Sequence, residues 1–330
     1  MKTILVTGGT GFIGVPLVKK LNELGHKIKL LVRETSDISP FEGLNNIDYV
    51  TGDVRDIESL SKAIEGVDLI YHLAAYTRMW AKDDSIFEEI NVQGAENVAK
   101  LALERDKKLI YVSSFIALGA TPEEPVDESF ESEEGQLLDY ATTKFEAKKM
   151  IKEYVKKGLN VTIFYPGIVY GPRDFNIFGQ IIHDITEGSF MGVPGKADKV
   201  GSFVYVNDVA NGLASVINKD DLKGEEFILA GENVIFNDWI NLIAELAGKK
   251  KPRHFPMSMG LMYARMCELK TKLTKKMPYI NRPTVKMMDY NWSYSSEKAI
   301  NQLGYKITPL KVGLKKTIEW YEEYIENEKK

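Results

Sequence analysis

The stretch "TGGTGFIG" at residues 7–14 constrains the fold more than any other part of the chain. It follows "TILVTG", a continuous apolar run that reads as a fully buried strand. It leads into "FIGVPLVKKLNELG", whose apolar residues at 12, 13, 17, 21 and 24 and closing Gly25 predict a helix. Pro16 falls in the first turn of that helix, where proline is tolerated. "KIKLLV" at 27–32 is the next strand, so the four pieces fill one βαβ unit. Gly8, Gly11 and Gly14 read G-x-x-G-x-x-G, and Gly9, Gly11 and Gly14 read G-x-G-x-x-G. Glycine permits the tight turn and the close approach of backbone to a pyrophosphate, and the helix N-terminus supplies free N–H groups. A glycine-rich turn without a ligand is the bland alternative. The strand before and the helix after favour a dinucleotide site built on Gly8, Thr10, Gly11, Phe12, Ile13 and Gly14.

The alternation continues for more than half of the chain. "IDYVTG", "DLIYHL", "KLIYVSS" and "VTIFYPG" read as strands, and "IESLSKAIEG", "FEEINVQGAENVAKLALE" and "YATTKFEAKKMIKEYVKKG" read as helices. Strands alternating with helices predict a Rossmann-type α/β fold, a doubly wound parallel sheet. After Pro166 the rhythm loosens into loops and segments rich in Met and Tyr. We therefore expect a dinucleotide-binding domain over 1–172, to which 201–232 return. A smaller substrate-binding domain is expected over 173–200 and 233–330. "FVYVNDVANGLASVI" and "EEFILAG" are the segments expected to rejoin the sheet.

Composition bounds the partners. A net charge of −4 with mixed signs gives no reason to expect nucleic acid, and the basic run "KKKPR" at 249–253 reads as a solvated helix end and turn. No apolar run approaches the roughly 20 residues of a membrane span. A single cysteine, Cys267, excludes an intrachain disulfide and points to a reducing, cytoplasmic setting. His26, His72, His183 and His254 lack metal-ligand spacing, so no metal is expected. The N-terminal "MKTILVTGG" reads as a buried strand and not as a signal peptide.

The second strand ends "LLVRETSD". An acidic side chain here would suit the ribose 2′-OH of NAD. Position 33 is arginine, whose guanidinium is a bidentate partner for the 2′-phosphate of NADP. Arg33 therefore favours NADP, with NAD as the alternative because Glu34 follows it and because Arg33 also fits an ordinary surface position at a strand end.

The chain resembles the extended short-chain dehydrogenase/reductases, the NAD-dependent epimerase/dehydratase superfamily, over its whole length. The matching pieces are "TGGTGFIG", "GDVRD", "HLAA", "NVQGAENV", "YVSS", "YATTK", "YPGIVYGP" and "FVYVNDVA", in that order. Within the superfamily it is most similar to the dihydroflavonol-4-reductase-like branch. "LVRETSD", "YGPRD" and "WSYSSEKAINQLGY" also resemble proteins labelled hopanoid-associated sugar epimerases. The resemblance implies that Asp53 hydrogen-bonds the adenine amino group and that Val54 packs on the ring. It implies that His72, Leu73, Ala74 and Ala75 line the cofactor, although His72 fits a buried structural histidine equally well. Asn91 matches a position that braces the active-site strands, the alternative being a polar residue at a helix start. Pro166 and Gly167 match the turn that shapes the nicotinamide pocket. A homodimer through the helices near 86–104 and 140–157 is a further implication.

"DYATTK" and "YSSEK" each place a tyrosine four residues before a lysine. With 16 tyrosines and 35 lysines in 330 residues, a pair or two at this spacing arises by chance. "YSSEK" fails on local structure, because Ser295 or Ser296 reads as a helix N-cap and Tyr294 lies before it. "DYATTK" passes. Asp139 is a suitable N-cap, and Tyr140 and Lys144 then share one helix face. The upstream strand ends at Ser113 and Ser114, and strand alternation favours Ser114 as the reactive hydroxyl. A free phenol has a pKa near 10, and a neighbouring ammonium favours its ionised form. Tyr140 is thus the expected acid/base, assisted by Ser114 and Lys144.

Tyr76, Arg78, Met79 and Trp80 either cover a substrate or form a packed cluster. Met257, Met262, Tyr263 and Met266 suggest an apolar pocket wall or core. Sugar-nucleotide enzymes of this superfamily usually carry an arginine where this chain has Gly201. Dehydratases tend to have an acidic pair where this chain reads "SSFIALG". The expectation is an NADP-dependent reductase of a ketone or aldehyde, with a sugar-nucleotide epimerase or dehydratase as the alternative.

Overall fold

A computed structural model describes residues 1–328. Its twelve strands are β1 (Thr3–Thr7), β2 (Lys27–Val32), β3 (Ile47–Thr51), β4 (Leu69–His72), β5 (Lys108–Val112), β6 (Val161–Pro166), β7 (Ile168–Tyr170), β8 (Val193–Pro194), β9 (Val200–Tyr205), β10 (Glu226–Leu229), β11 (Glu232–Ile235) and β12 (His254–Phe255). The helices are α1 (Gly14–Glu23), α2 (Ile57–Ile64), α3 (Ser85–Glu88), α4 (Gly94–Glu104), α5 (Asp139–Lys156), α6 (Ile177–Glu187), α7 (Val206–Ala214), α8 (Phe236–Leu246), α9 (Met257–Thr274), α10 (Arg282–Met287), α11 (Glu297–Leu303) and α12 (Leu310–Glu328).

Seven strands form one sheet in the order β3-β2-β1-β4-β5-β6-β10, and every pairing in it is parallel. The order runs outward in both directions from β1, so the crevice opens where the strand order reverses, between β1 and β4. Strands β1, β4, β5 and β6 are almost entirely buried, as expected for strands covered on both faces. One apolar core lies on the α2, α4 and α5 side and continues into the C-terminal half. The other lies on the α1 and α7 side.

The fold departs from the sequence reading in two places. "EEFILAG" does join the main sheet, as β10 beside β6, but "FVYV" does not. Its strand, β9, pairs in parallel with β7 and antiparallel with β11 in a separate three-stranded sheet. The cause lies at Pro166 and Gly167. Proline ends β6, Gly167 N–H is held by Leu229 O at 3.0 Å, and β7 leaves the plane of the main sheet, drawing β9 with it. The long helix expected from "FEEINVQGAENVAKLALE" is also not uniform. Between α3 and α4 lies a wide π turn over Glu89–Gln93, which holds Asn91.

Candidate active site

The glycine loop starts from β1. Gly8 has φ +72°, and a Cβ there would sit 2.5 Å from Ala74 N. A Cβ on Gly14 would sit 2.3 Å from Gly8 O, so neither position accepts a side chain. Gly11 N–H donates to Gly8 O at 3.0 Å and closes the turn. Helix α1 begins with no side-chain cap and no acidic residue in its first turn. A helix start left bare in this way is suited to an anion. The residues present therefore fit a dinucleotide pyrophosphate.

The loop forms one wall of a cavity of about 1200 Å³. Gly8, Thr10, Gly11, Phe12, Ile13, Gly14, Arg33, Asp53, Val54, Leu73, Ala74, Ala75, Ser114, Tyr140, Lys144 and Pro166 all line it. Asn91 does not. It is buried behind the wall, where its side chain accepts from Tyr76 N–H at 2.7 Å and donates to Tyr76 O at 3.2 Å and Thr143 Oγ1 at 3.0 Å. It ties the strand-end segment after Ala75 to the residue preceding Lys144. The π turn brings Asn91 inward, and helical spacing alone gives no sign of that turn.

The carboxylate of Asp53 is held by its neighbour. Arg55 Nε and Nη2 donate to it at 3.1 and 3.0 Å, and this pairing keeps its pKa below the ordinary carboxylate value. Arg33 lies at the cavity edge with Ser36, which accepts from Arg33 N–H at 3.0 Å. Ser36 was not singled out by the sequence reading. Its signal was the tight turn "RETS" after the strand.

Ser114, Tyr140 and Lys144 converge on the opposite wall. Helix α5 starts one residue earlier than an Asp139 cap requires. Leu138 occupies the N-cap with extended dihedrals, and Asp139 is already helical and caps nothing. The face shared by Tyr140 and Lys144 is unaffected. Lys144 is buried, and its ammonium donates to Val112 O at 3.2 Å. Burial pushes its pKa down to about 8. Burial also pushes the Tyr140 phenol up, and a hydrogen bond from Ser114 opposes that rise. The net shift is upward, opposite to the lowering expected from Lys144, and the opposing contribution comes from Ser114. The protein's own groups keep Tyr140 protonated at neutral pH, the state of a proton donor.

Both serines face the cavity, which corrects the alternation argument. Strand β5 ends at Val112, so the period of two no longer applies at 113 and 114. The difference between them is the partner. Ser114 hydrogen-bonds Tyr140 and caps a short 3₁₀ turn at Phe115–Ala117.

His72 is neutral. Its Nδ1 pairs with Thr7 Oγ1 at 2.7 Å, its ring stacks on Tyr111, and burial followed by the Lys144 charge takes its pKa to about 3. It is a buried strand-end residue that does not line the cavity.

The half of the cavity away from the glycine loop is mostly apolar. Tyr76, Met79, Trp80, Phe178, Phe190 and Met288 line it, so the segment after "HLAA" does face the cavity. Gly260 and Tyr263 of α9 also contribute, but Met262 and Met266 are each 60% exposed and belong neither to the wall nor to the core. Polar groups are few. Arg173, Lys199, Asp174 and Gln180 are among them, and burial raises Asp174 to about 6.

The family model for the NAD dependent epimerase/dehydratase family matches residues 4–230. The chain belongs to that family. It is an enzyme of the NAD(P)-dependent dehydrogenase, epimerase and dehydratase type. Two curated relatives are each 28% identical. One is sterol demethylase protein B of Methylococcus capsulatus, over 97% of this chain and 98% of that protein. The other is a putative dihydroflavonol 4-reductase of Synechocystis, over 97% of this chain and 94% of that protein. Among solved structures, gox2253 superposes with a TM-score of 0.83 at 32% identity, covering 98% of this chain and 99% of that one.

Proposed function

We propose that this family member is an NADP-dependent reductase that converts an apolar ketone or aldehyde to an alcohol. The observation that carries the proposal is the convergence of Ser114, Tyr140 and Lys144 on one wall of a cavity whose far half is apolar. Tyr140 donates its proton to the substrate oxygen as that oxygen gains charge, and Ser114 hydrogen-bonds the same oxygen. Lys144 supplies positive charge near the phenol and holds the nicotinamide ribose. The loop Gly8 to Gly14 takes the pyrophosphate, Asp53 and Val54 take the adenine, and Leu73, Ala74, Ala75 and Pro166 border the rest. When bound, the nicotinamide supplies a hydride to the carbonyl carbon.

The preference for NADP rests on Arg33. Its guanidinium lies at the cavity edge and, among the described residues, is engaged in no ion pair, while Asp53 is already neutralised by Arg55. The preference for reduction over epimerisation rests on Gly201. A Cβ there would lie 3.0 Å from both Ile168 Cδ1 and Phe203 Cε2, so any side chain at this position, arginine included, requires those two to shift. Loss of that guanidinium removes a charge-assisted contact worth roughly 1.5–3 kcal/mol to a substrate diphosphate. Lys199 and Arg173 also line the cavity and are the groups an epimerase would use in its place. A homodimer through α4 and α5 belongs to the same reading, and sedimentation analysis tests it.

The deciding measurement is nicotinamide absorbance over many turnovers with carbonyl compounds, beside calorimetry with nucleotide sugars. Net NADPH consumption in proportion to alcohol is expected. Micromolar nucleotide-sugar binding with isomerised product and unchanged absorbance would replace the reductase by an epimerase. Fluorescence titration should give tighter binding of NADPH than NADH, with Arg33→Ala removing most of the difference. Equal affinities in the parent protein would exclude the cofactor assignment.

A further inference from the structure

Helix α9 is inverted relative to an ordinary surface helix. Its buried residues are the small or polar Gly260, Ala264 and Thr271, while Met259, Met262, Tyr263, Met266, Leu269 and Leu273 are exposed. At roughly 100° per residue, those six side chains fall within an arc of roughly 120° on the solvent side. Leu273 is 86% exposed. Met277 and Tyr279, just past the helix, are exposed as well. A patch of this kind at one place on a surface marks a contact site, whereas single exposed apolar residues do not.

Charge separates the possible occupants. Residues 249–286 hold eleven Lys and Arg and one acidic residue, Glu268, a local charge of +10 in a chain whose total is −4. All eleven are exposed, and among the described residues only Arg282 is in an ion pair, with Glu268. A second copy docked on a two-fold axis would set this charge against itself. A nucleic acid would leave the methionines and leucines uncovered. An anionic lipid surface satisfies both features, with the apolar arc entering the acyl boundary and the flanking lysines meeting the headgroups. The patch is also continuous with the cavity, because Tyr263, Met277 and Tyr279 belong to the exposed surface and to the cavity wall at once.

We propose that α9 and the basic segments on either side of it dock this enzyme peripherally on an anionic membrane surface, with the mouth of the apolar cavity against the bilayer. Among the described residues no helix is long and apolar enough to cross a membrane, so the contact is interfacial. The docking surface is independent of the reaction assigned above.

The test is flotation of the full chain with vesicles of about two parts phosphatidylcholine to one part phosphatidylglycerol, at low and high salt, beside pure phosphatidylcholine vesicles. Binding to the anionic vesicles is expected, weakened by salt and by omission of phosphatidylglycerol. Met262→Glu, Met266→Glu and Leu273→Glu together should lower the bound fraction roughly tenfold or more, and Lys272→Glu, Lys275→Glu and Lys276→Glu together should weaken the preference for anionic lipid. None of these six side chains lines the cavity, so NADPH titration and the melting temperature should match the parent. If the first triple variant melts early, the serine version of the same three positions repeats the test. No binding to anionic vesicles would overturn the proposal. So would binding unchanged by both triple variants, or a parent dimer that the first variant dissociates without any vesicle effect.

Discussion

Tyr140 and Tyr294 are the same side chain in two environments. Tyr140 lies on the cavity wall against Ser114, whereas Tyr294 is 1% exposed and donates its phenol proton to Gly119 O at 2.5 Å and Phe115 O at 3.1 Å. The second tyrosine holds the turn that follows Ser114, so it is structural but not idle. Tyr140→Phe should lower turnover roughly 100-fold or more with NADPH affinity nearly intact, the usual scale for a lost general acid. Tyr294→Phe should leave turnover within a few-fold while costing about 1–3 kcal/mol in urea unfolding, because two buried carbonyls lose their donor. Equal loss of turnover in both variants would refute the assignment. Lys144 yields a second contrast. Its pKa in the fold, about 8, lies below the ordinary 10.5, so the unfolded chain binds more protons between those values. The destabilisation is complete below about pH 8 and fades as pH rises toward 10.5. Lys144→Met should therefore unfold at higher urea than the parent at pH 7, and the gap should narrow between pH 8 and 10. Activity should fall in the same variant. A parent that is more stable than Lys144→Met at pH 7 would contradict the burial argument.

Elements are legible in a sequence to the extent that local spacing determines them. The glycine loop, the alternation of strands and helices and the helix face of Tyr140 and Lys144 depend on residues a few positions apart, and each can be read from the sequence. The π turn at Glu89–Gln93 cannot, because "FEEINVQGAENV" satisfies an ordinary helix as well. Its side-chain consequence is tertiary: Asn91 reaches both Tyr76 and Thr143 only once β4 and α5 are packed around it. The same holds for β9. Its apolar pattern says that it is buried but not that Pro166 and Gly167 divert its partner β7 out of the main sheet. The stripe on α9 misleads for the opposite reason, since helical periodicity shows which residues share a face and not which way the face points. The π turn makes Asn91 the element-scale test. Asn91→Ala strips the buried Tyr76 N–H of its acceptor, so the melting temperature should drop by several degrees. Turnover should fall with NADPH affinity unchanged, because Asn91 acts through the positions of Tyr76 and Lys144. A loss of NADPH affinity alone would show that it touches the cofactor directly.

At the scale of the molecule, the chain crosses repeatedly between the two halves. After leaving the main sheet at Pro166 it builds β7 to β9, returns through α7 onto α1, and adds β10 to the sheet edge. The return is anchored chemically. Glu226 of β10 accepts from Tyr165 OH at 2.6 Å and pairs with Lys152 of α5 at 2.9 Å. Farther on, Ala230 N–H donates to Ser296 Oγ at 2.7 Å, and Tyr294 reaches across to Gly119. A chain cut at 172 would therefore keep the glycine loop and the Tyr140 face but lose the edge strand beside β6, the cover of α1 and the support of the Ser114 turn. The two halves share one folded state, and unfolding should be a single transition. Three of the four tryptophans, Trp239, Trp292 and Trp320, lie in the C-terminal half and, with Trp80 replaced by Phe, report on it alone, while far-UV circular dichroism reports on all helices and the sheet. Their urea midpoints should coincide, and bound NADPH, held mainly by the N-terminal half, should raise both by the same amount. A tryptophan midpoint that precedes the dichroism midpoint, or that does not move with NADPH, would mean that the halves unfold separately and that the interwoven path does not couple them.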